Sequence, residues 1–296
     1  MRRSPSFAST APMRELYDRT VRHEPKGDHQ SPLLVRPSAL KRHIVDRAAE
    51  YLVHCLVRRL AVEAGAEVRI GESPAEARIR QAFDLDTYKP SLKEWSDHVR
   101  GAMAVFREFS DGGEVPHGRI LTPCQALAQL EFVTLEGRKR MDPVRIDPAI
   151  HAELLQFWKT LDTARLPQPC SLAITHPEIA GAGPVWPTQA SLLVDGTLIQ
   201  VASRTVASVA PDDLRLLAAK AAQAQLCGVL GNGGGPCPVP IDRVALMFTR
   251  HNRLMEFRPE EIFGVDGLEQ YLEGFAVSAG MDLERDREPD LMPMMG

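Results

Sequence analysis

Residues 189–205, QASLLVDGTLIQVASRT, decide how the rest of the chain is read. Asp195-Gly196 is a strong two-residue turn signal, and Leu192, Val194, Ile199 and Val201 alternate around it with the period of paired β-strands. A two-residue loop sets the register, so Val194 pairs with Thr197, Leu192 with Ile199, and Ser191 with Gln200. Ser191 and Gln200 then face each other with Cβ atoms about 4.5 to 5.5 Å apart, and Ala202 follows on the Gln200 face. Acids at the first two positions and a lysine at the third would make a divalent-cation site with a charged partner. This chain carries a hydroxyl, an amide and a methyl instead.

At these residues ASLLVDGTLIQVAS resembles the core of the PD-(D/E)XK nuclease-like superfamily, where the corresponding run looks like ADLLVDGTLIDVKT. The resemblance places Ser191 at the family's first metal-binding Asp, Gln200 at its second acid and Ala202 at its Lys. It continues through LRLLAAKA, residues 214–221, where Leu216 stands for a commonly functional Gln, and into FTRHNRLMEF, similar to the last core strand and turn. The match spans about residues 174–257. It implies an α/β (α+β) chain: a helical N-terminal half followed by a restriction-endonuclease-like αβββαβ core with a mixed central sheet.

Composition fits a globular protein. The chain has 296 residues, 44% of them hydrophobic, enough for a substantial core. A formal charge of -4 gives no strongly basic footprint for nucleic acid, and 6% aromatic residues leaves few stacking platforms for single strands. Cys55, Cys124, Cys170, Cys227 and Cys237 form no C-x-x-C pair, which fits reduced thiols better than a disulfide framework or a metal or cluster site. MRRSPSFASTAPM lacks the apolar stretch of a secretory signal, and no run approaches the roughly 20 apolar residues that span a bilayer. A cytoplasmic protein without a cofactor is expected.

In chain order, residues 1–36 read as a disordered or loosely docked arm, rich in Ser, Pro, Arg and His. Residues 37–146 read as a helical region. One helix runs from an N-cap at Ser38 to a stop at Gly65, with His43 and His54 as packed or surface residues; a second is opened by Ser91 and Glu94 and ends before 111–113. A third begins near Thr122-Pro123, and the basic run Arg138-Lys139-Arg140 follows it. The nuclease-like core is expected over 147–283. It opens with an Asp147-Pro148 cap and a helix lying on the sheet, turns strand-like from Ser171, and holds a helix from Pro211 to a stop at Gly231. Residues 284–296 read as a frayed tail.

The resemblance, with its acids and Lys replaced, implies a catalytically inactive protein. It would act as a nucleic-acid-binding or non-catalytic subunit of a nucleic-acid-processing or defence assembly. Arg204, Lys220, Arg250, His251 and Arg253 are the candidate nucleic-acid contacts, and neither metal nor catalysis is expected at the vestigial positions Ser191, Gln200, Ala202 and Leu216. The alternative is a structural or interaction module with a protein partner or a second copy of itself, favoured by the acidic balance and the neutral Ser191/Gln200/Ala202 face. A further alternative is an active nuclease whose groups have migrated, drawing on Glu178, Asp195, Asp212, Asp213 or Lys220. The turn explains Asp195, and helix capping explains Asp212 and Asp213.

Overall fold

The computed structural model describes residues 11–21, 31–37, 41–77, 80, 90–132, 145–182, 185–230, 236–237 and 239–281. Its helices are α1 (Ala11–Thr20), α2 (Arg42–Ala64), α3 (Pro90–Ser110), α4 (Leu121–Glu131), α5 (Pro148–Thr160), α6 (Pro211–Cys227), α7 (Pro259–Phe263) and α8 (Val265–Ser278). The strands are β1 (Glu67–Ile70), β2 (Leu172–Thr175), β3 (Glu178–Ile179), β4 (Thr188–Gln189), β5 (Leu192–Val194), β6 (Thr197–Ala202), β7 (Val229–Leu230), β8 (Pro236–Cys237), β9 (Arg243–Phe248) and β10 (Arg253–Phe257).

The expected hairpin is β5 and β6, paired Leu192 to Ile199 and Val194 to Thr197. Asp195 and Gly196 both have positive φ, 45° and 78°, as a primed turn requires. Gly196 is needed for space as well, since a Cβ there would lie 2.8 Å from Asp242 Oδ2. Asp195 does more than turn the chain. Its carboxylate accepts hydrogen bonds from the backbone N–H groups of Cys170, Ser171 and Leu172 and from the Ser171 hydroxyl, which fixes the start of β2 beside β5. Burial pushes the Asp195 pKa up, but these donors outweigh it and hold the carboxyl down at about 2.

The hairpin is the middle of a mixed six-stranded sheet in the order β1-β2-β5-β6-β9-β10. β2, β5 and β6 are successively antiparallel; β9 returns parallel to β6 after α6, as a helical crossover allows. A four-stranded sheet, β4-β3-β7-β8, lies beside it. Alternation along the strands covers both faces of the large sheet. Ala173, Leu192, Val194, Ile199, Val201, Ala245 and Met247 share a buried cluster with α2, α3, α4 and α5. Ile174, Leu193, Leu198, Val244, Leu246 and Phe248 share another with α1, α6, α7 and α8. Each such leucine contributes about 1.5 to 3 kcal/mol by leaving water.

The helical caps follow the sequence closely. Gly65 ends α2 with φ 70°, and Asp147 caps α5 by accepting from Ala149 N–H at 3.1 Å. Ser38, Val133 and the basic run 138–140 lie outside the described residues, as do the side chains of Ser91, Glu94 and Trp95 and the tail 284–296. Four expectations change. The helix from Pro211 stops at Cys227, with Gly228 as its cap, because Val229 and Leu230 turn into β7. α5 packs chiefly on α2 and α4 rather than on the sheet. The 37–146 segment supplies a strand, β1, parallel to β2. Part of the arm is firmly docked: Met13, Leu16 and Tyr17 of α1 are buried against α8, because they repeat on one helical face.

Arg250 is also displaced from the role its charge suggested. Expected at the surface, it is completely buried after β9. Its guanidinium lies 2.7 Å from Glu153 of α5 and 2.8 Å from Asp46 of α2, and donates to the carbonyls of Ser203 and Val35. His251, 3% exposed, has its Nδ1 within 2.9 Å of the Pro32 carbonyl. Nucleic acid cannot reach either side chain in this fold. Arg250→Leu leaves Glu153 buried without its cation and is expected to cost about 3 to 5 kcal/mol in denaturant unfolding. A loss below about 1 kcal/mol, the range of exposed ion pairs, would contradict the buried placement.

Candidate functional site

A cleft of about 600 Å³ opens where β5 begins and β6 ends. α2 borders it on one side with Arg42, Asp46, Arg47 and Glu50, and α6 on the other with Asp213, Leu216 and Lys220. All four positions singled out by the resemblance, Ser191, Gln200, Ala202 and Leu216, line it, together with Arg204.

The hairpin register generates the centre of the site. Ser191 lies opposite Gln200, and its Oγ accepts from Gln200 Nε2 at 2.9 Å and from Val201 N–H at 3.1 Å. Its own proton goes to Glu50 Oε1 of α2. The Gln200 carbonyl accepts from Lys220 Nζ at 2.8 Å. Beyond Glu50, Arg47 pairs with that carboxylate and, at 3.0 Å, with Glu131. A continuous line therefore runs Lys220, Gln200, Ser191, Glu50, Arg47, Glu131. Arg47 and Glu50 meet because they are three residues apart on α2, and His54 follows Glu50 by four.

Burial, with a smaller contribution from Arg47, pushes Lys220 down to about 8, while Glu50 pulls it the other way. Its partner is a neutral amide. Behind Glu50, His54 Nδ1 and His176 Nε2 are 3.0 Å apart, so one ring donates to the other, and His54 Nε2 is 3.8 Å from Glu50 Oε1. Burial lowers His54 to about 3, aided by Arg47, and lowers His176 well below its ordinary value, aided by His54. His176 has φ 53°, and Gly71 meets it so closely that a Cβ there would fall 1.9 Å from the His176 carbonyl oxygen.

These groups do not fit the divalent metal of the resembled nucleases. Hard cations take several oxygen ligands, chiefly carboxylates. Here the one carboxylate against Ser191 is already held by Arg47, and the Gln200 oxygen is taken by Lys220. Among the described residues no group of three His, Cys, Asp or Glu is arranged to hold a metal ion. Ser191 is no nucleophile either. Its lone pairs accept two hydrogen bonds, and it is 2% exposed.

Of the candidate nucleic-acid contacts, Arg204 and Lys220 reach the cleft; Arg250 and His251 are interior, and Arg253 reaches Ser31 at 3.1 Å. Arg204 is gripped in a two-point pair by Asp213. The charges balance: Arg42, Arg47, Arg204 and Lys220 face Asp46, Glu50, Glu131 and Asp213. Glu178 lies in the small sheet, and Asp212 is exposed with Arg215. Glu50 was missed by sequence reasoning. Its signal was the spacing Arg47, Glu50, His54 on one face of a helix, but nothing local links it to Ser191, 141 residues away.

No family model, curated protein or solved structure matches this chain. Among the described residues no helix is long and apolar enough to cross a membrane.

The histidine pair has a measurable consequence. A group whose pKa is lowered on folding binds fewer protons in the native state, so stability falls as pH falls. The pair's contribution is complete above about pH 6.5, the unfolded value, and is lost progressively toward the folded value of about 3 for His54. Urea unfolding at several pH values is expected to show this decline, with a shallower slope for His54→Phe. Equal slopes for the two proteins would rule the buried pair out as its source.

Proposed function

We propose that this chain is a catalytically inactive protein on a PD-(D/E)XK nuclease-like core, acting as a non-catalytic subunit of a nucleic-acid-processing or defence assembly. The order of elements supports the nuclease-like reading. Within the large sheet the antiparallel strands β2, β5 and β6, the crossover α6 and the parallel strand β9 run in the βββαβ order expected of that core, whereas its expected opening helix, α5, packs on α2 and α4. The single observation carrying the loss of catalysis is the closed line from Lys220 through Gln200 and Ser191 to Glu50. It fills with the neutral side chains of Ser191 and Gln200 the positions where that chemistry needs metal-bound carboxylates. Losing one electrostatic contributor to a transition state typically costs about two to three orders of magnitude in rate, and here three are replaced.

The balanced charge of the cleft favours a protein partner over direct grip on a polyanion. Phosphate recognition needs cations with spare donors, whereas Arg47 and Arg204 are committed to carboxylates. A second reading, an active nuclease with migrated groups, draws on Lys220 and Glu50, which do enter the cleft. Among the described residues no carboxylate beside Ser191 is clear of arginine, since Glu50 is paired with Arg47.

Calorimetric titration separates these readings. The natural chain is expected to give no Mg²⁺ or Mn²⁺ binding, and the folded triple variant Ser191→Asp, Gln200→Asp, Ala202→Lys is expected to gain Mn²⁺ binding. Tight metal binding by the natural chain would overturn the inactive reading in favour of the migrated nuclease, and none by the folded triple variant would sink the nuclease-like assignment of these positions. For the partner, the chain is expected not to retard duplex or single-stranded DNA even at low salt, where phosphate contacts are strongest. Retention there would overturn the preference for protein.

A further inference from the structure

Lys220 is an unusual lysine for this chain. It is 8% exposed yet lines a cleft large enough for a small molecule, and its one hydrogen-bond acceptor is the carbonyl of Gln200 rather than a carboxylate. Leu216, one turn earlier on α6, presents an apolar wall to the same space, and Ala202 offers only a methyl next to Gln200. A buried ammonium in such surroundings loses its proton easily, and the neutral amine is the nucleophile toward carbonyl carbon. The downward shift of its pKa to about 8 agrees with that placement.

A second cation in the cleft is loosely held. Arg42 has a 45% exposed side chain, and its Nε is 3.8 Å from Asp46 Oδ2, while the other oxygen of Asp46 is committed to Arg250 at 2.8 Å. Arg47 and Arg204 are held more firmly by carboxylates. An anionic group entering the cleft therefore finds its available partner in Arg42.

From this geometry we infer that the cleft binds a small carbonyl compound bearing a carboxylate or phosphate, and that Lys220 joins it reversibly as an imine. The lone pair of neutral Nζ attacks the carbonyl carbon, and the π pair moves to oxygen, which gains the proton that nitrogen loses. The resulting carbinolamine expels its hydroxyl as water, which carries away the remaining N–H proton, while the nitrogen lone pair forms C=N. No oxidant or reductant enters, and hydrolysis reverses the step. Gln200 holds the amine in place beforehand, and Arg42 receives the anionic end. This inference does not rest on the nuclease-like reading, because Lys220, Arg42 and the Gln200 amide act here through their own chemistry, whatever the origin of the positions around them.

The test is reductive trapping on the full chain. Protein at about neutral pH is treated with cyanoborohydride and, separately, glyoxylate, pyridoxal 5′-phosphate or uncharged propionaldehyde, then digested and mapped by mass spectrometry. Lys220 is expected to be labelled on the order of tenfold faster than exposed Lys159, because more of it is neutral at that pH. Either anionic probe is expected to outrun propionaldehyde at Lys220, the faster of the two showing whether carboxylate or phosphate is preferred. Arg42→Ala should abolish that advantage, read as the ratio of the anionic to the propionaldehyde rate within the same variant. Labelling of Lys159 as fast as Lys220 overturns the imine site. Equal labelling of Lys220 by all three probes overturns the anionic ligand. The natural chain alone supplies both readouts, so a variant that fails to fold leaves the result decisive.

Discussion

A buried guanidinium ties this molecule together. Arg250 follows the last strand that pairs with the hairpin, and it reaches α2 through Asp46, α5 through Glu153, the end of β6 through the Ser203 carbonyl, and the N-terminal arm through Val35. Arginine suits the place because its planar fork offers several donors in different directions and stays charged. Burying that charge is costly unless carboxylates and carbonyls surround it, so the neighbours must arrive together. Asp46 belongs both to this cluster and to the cleft wall, which couples the shape of the cleft to the core beneath it.

The centre of the cleft links a cation to an anion through two neutral side chains. Carboxylates crowded at one corner of a sheet repel one another unless a cation sits among them. Ser191 and Gln200 bring no such charge: each is donor and acceptor at once, so they pass hydrogen bonds from Lys220 to Glu50 with no ion between. Arg47 then neutralises the one remaining carboxylate and links it to α4 through Glu131. The polar groups are satisfied in sequence, which a partly buried network requires to be stable.

What could be read from the chain was what short-range geometry dictates. Asp195-Gly196 set the hairpin register, and with it the meeting of Ser191 and Gln200, because a two-residue turn leaves no choice of pairing. Gly65 and Asp147 marked helix ends through local backbone chemistry. Glu50, Arg250 and the docking of α1 were hidden because they depend on contacts between distant segments, and a charged residue carries no local mark of whether it will be buried. Arg250, His251 and Arg204 looked alike as positive residues near a core strand; only tertiary packing sends the first two inward. Lys220 was legible as a possibility through its place on α6, but the turn that aims it at Gln200 is fixed by how α6 lies across the sheet.

The position of β1 bears on how the chain is made. β1 lies parallel to β2, with Glu67 beside Leu172, so about a hundred residues separate partners that touch. α2, just before it, buries Leu52 and Cys55 in the cluster that includes Leu192, Ile199 and Met247. During synthesis from the N-terminus, the apolar face of α2 leaves the ribosome long before the hairpin that covers it exists. Of its helical partners α3 and α4 are made next, whereas β1 pairs with β2 and has no strand to join until residue 172 is made.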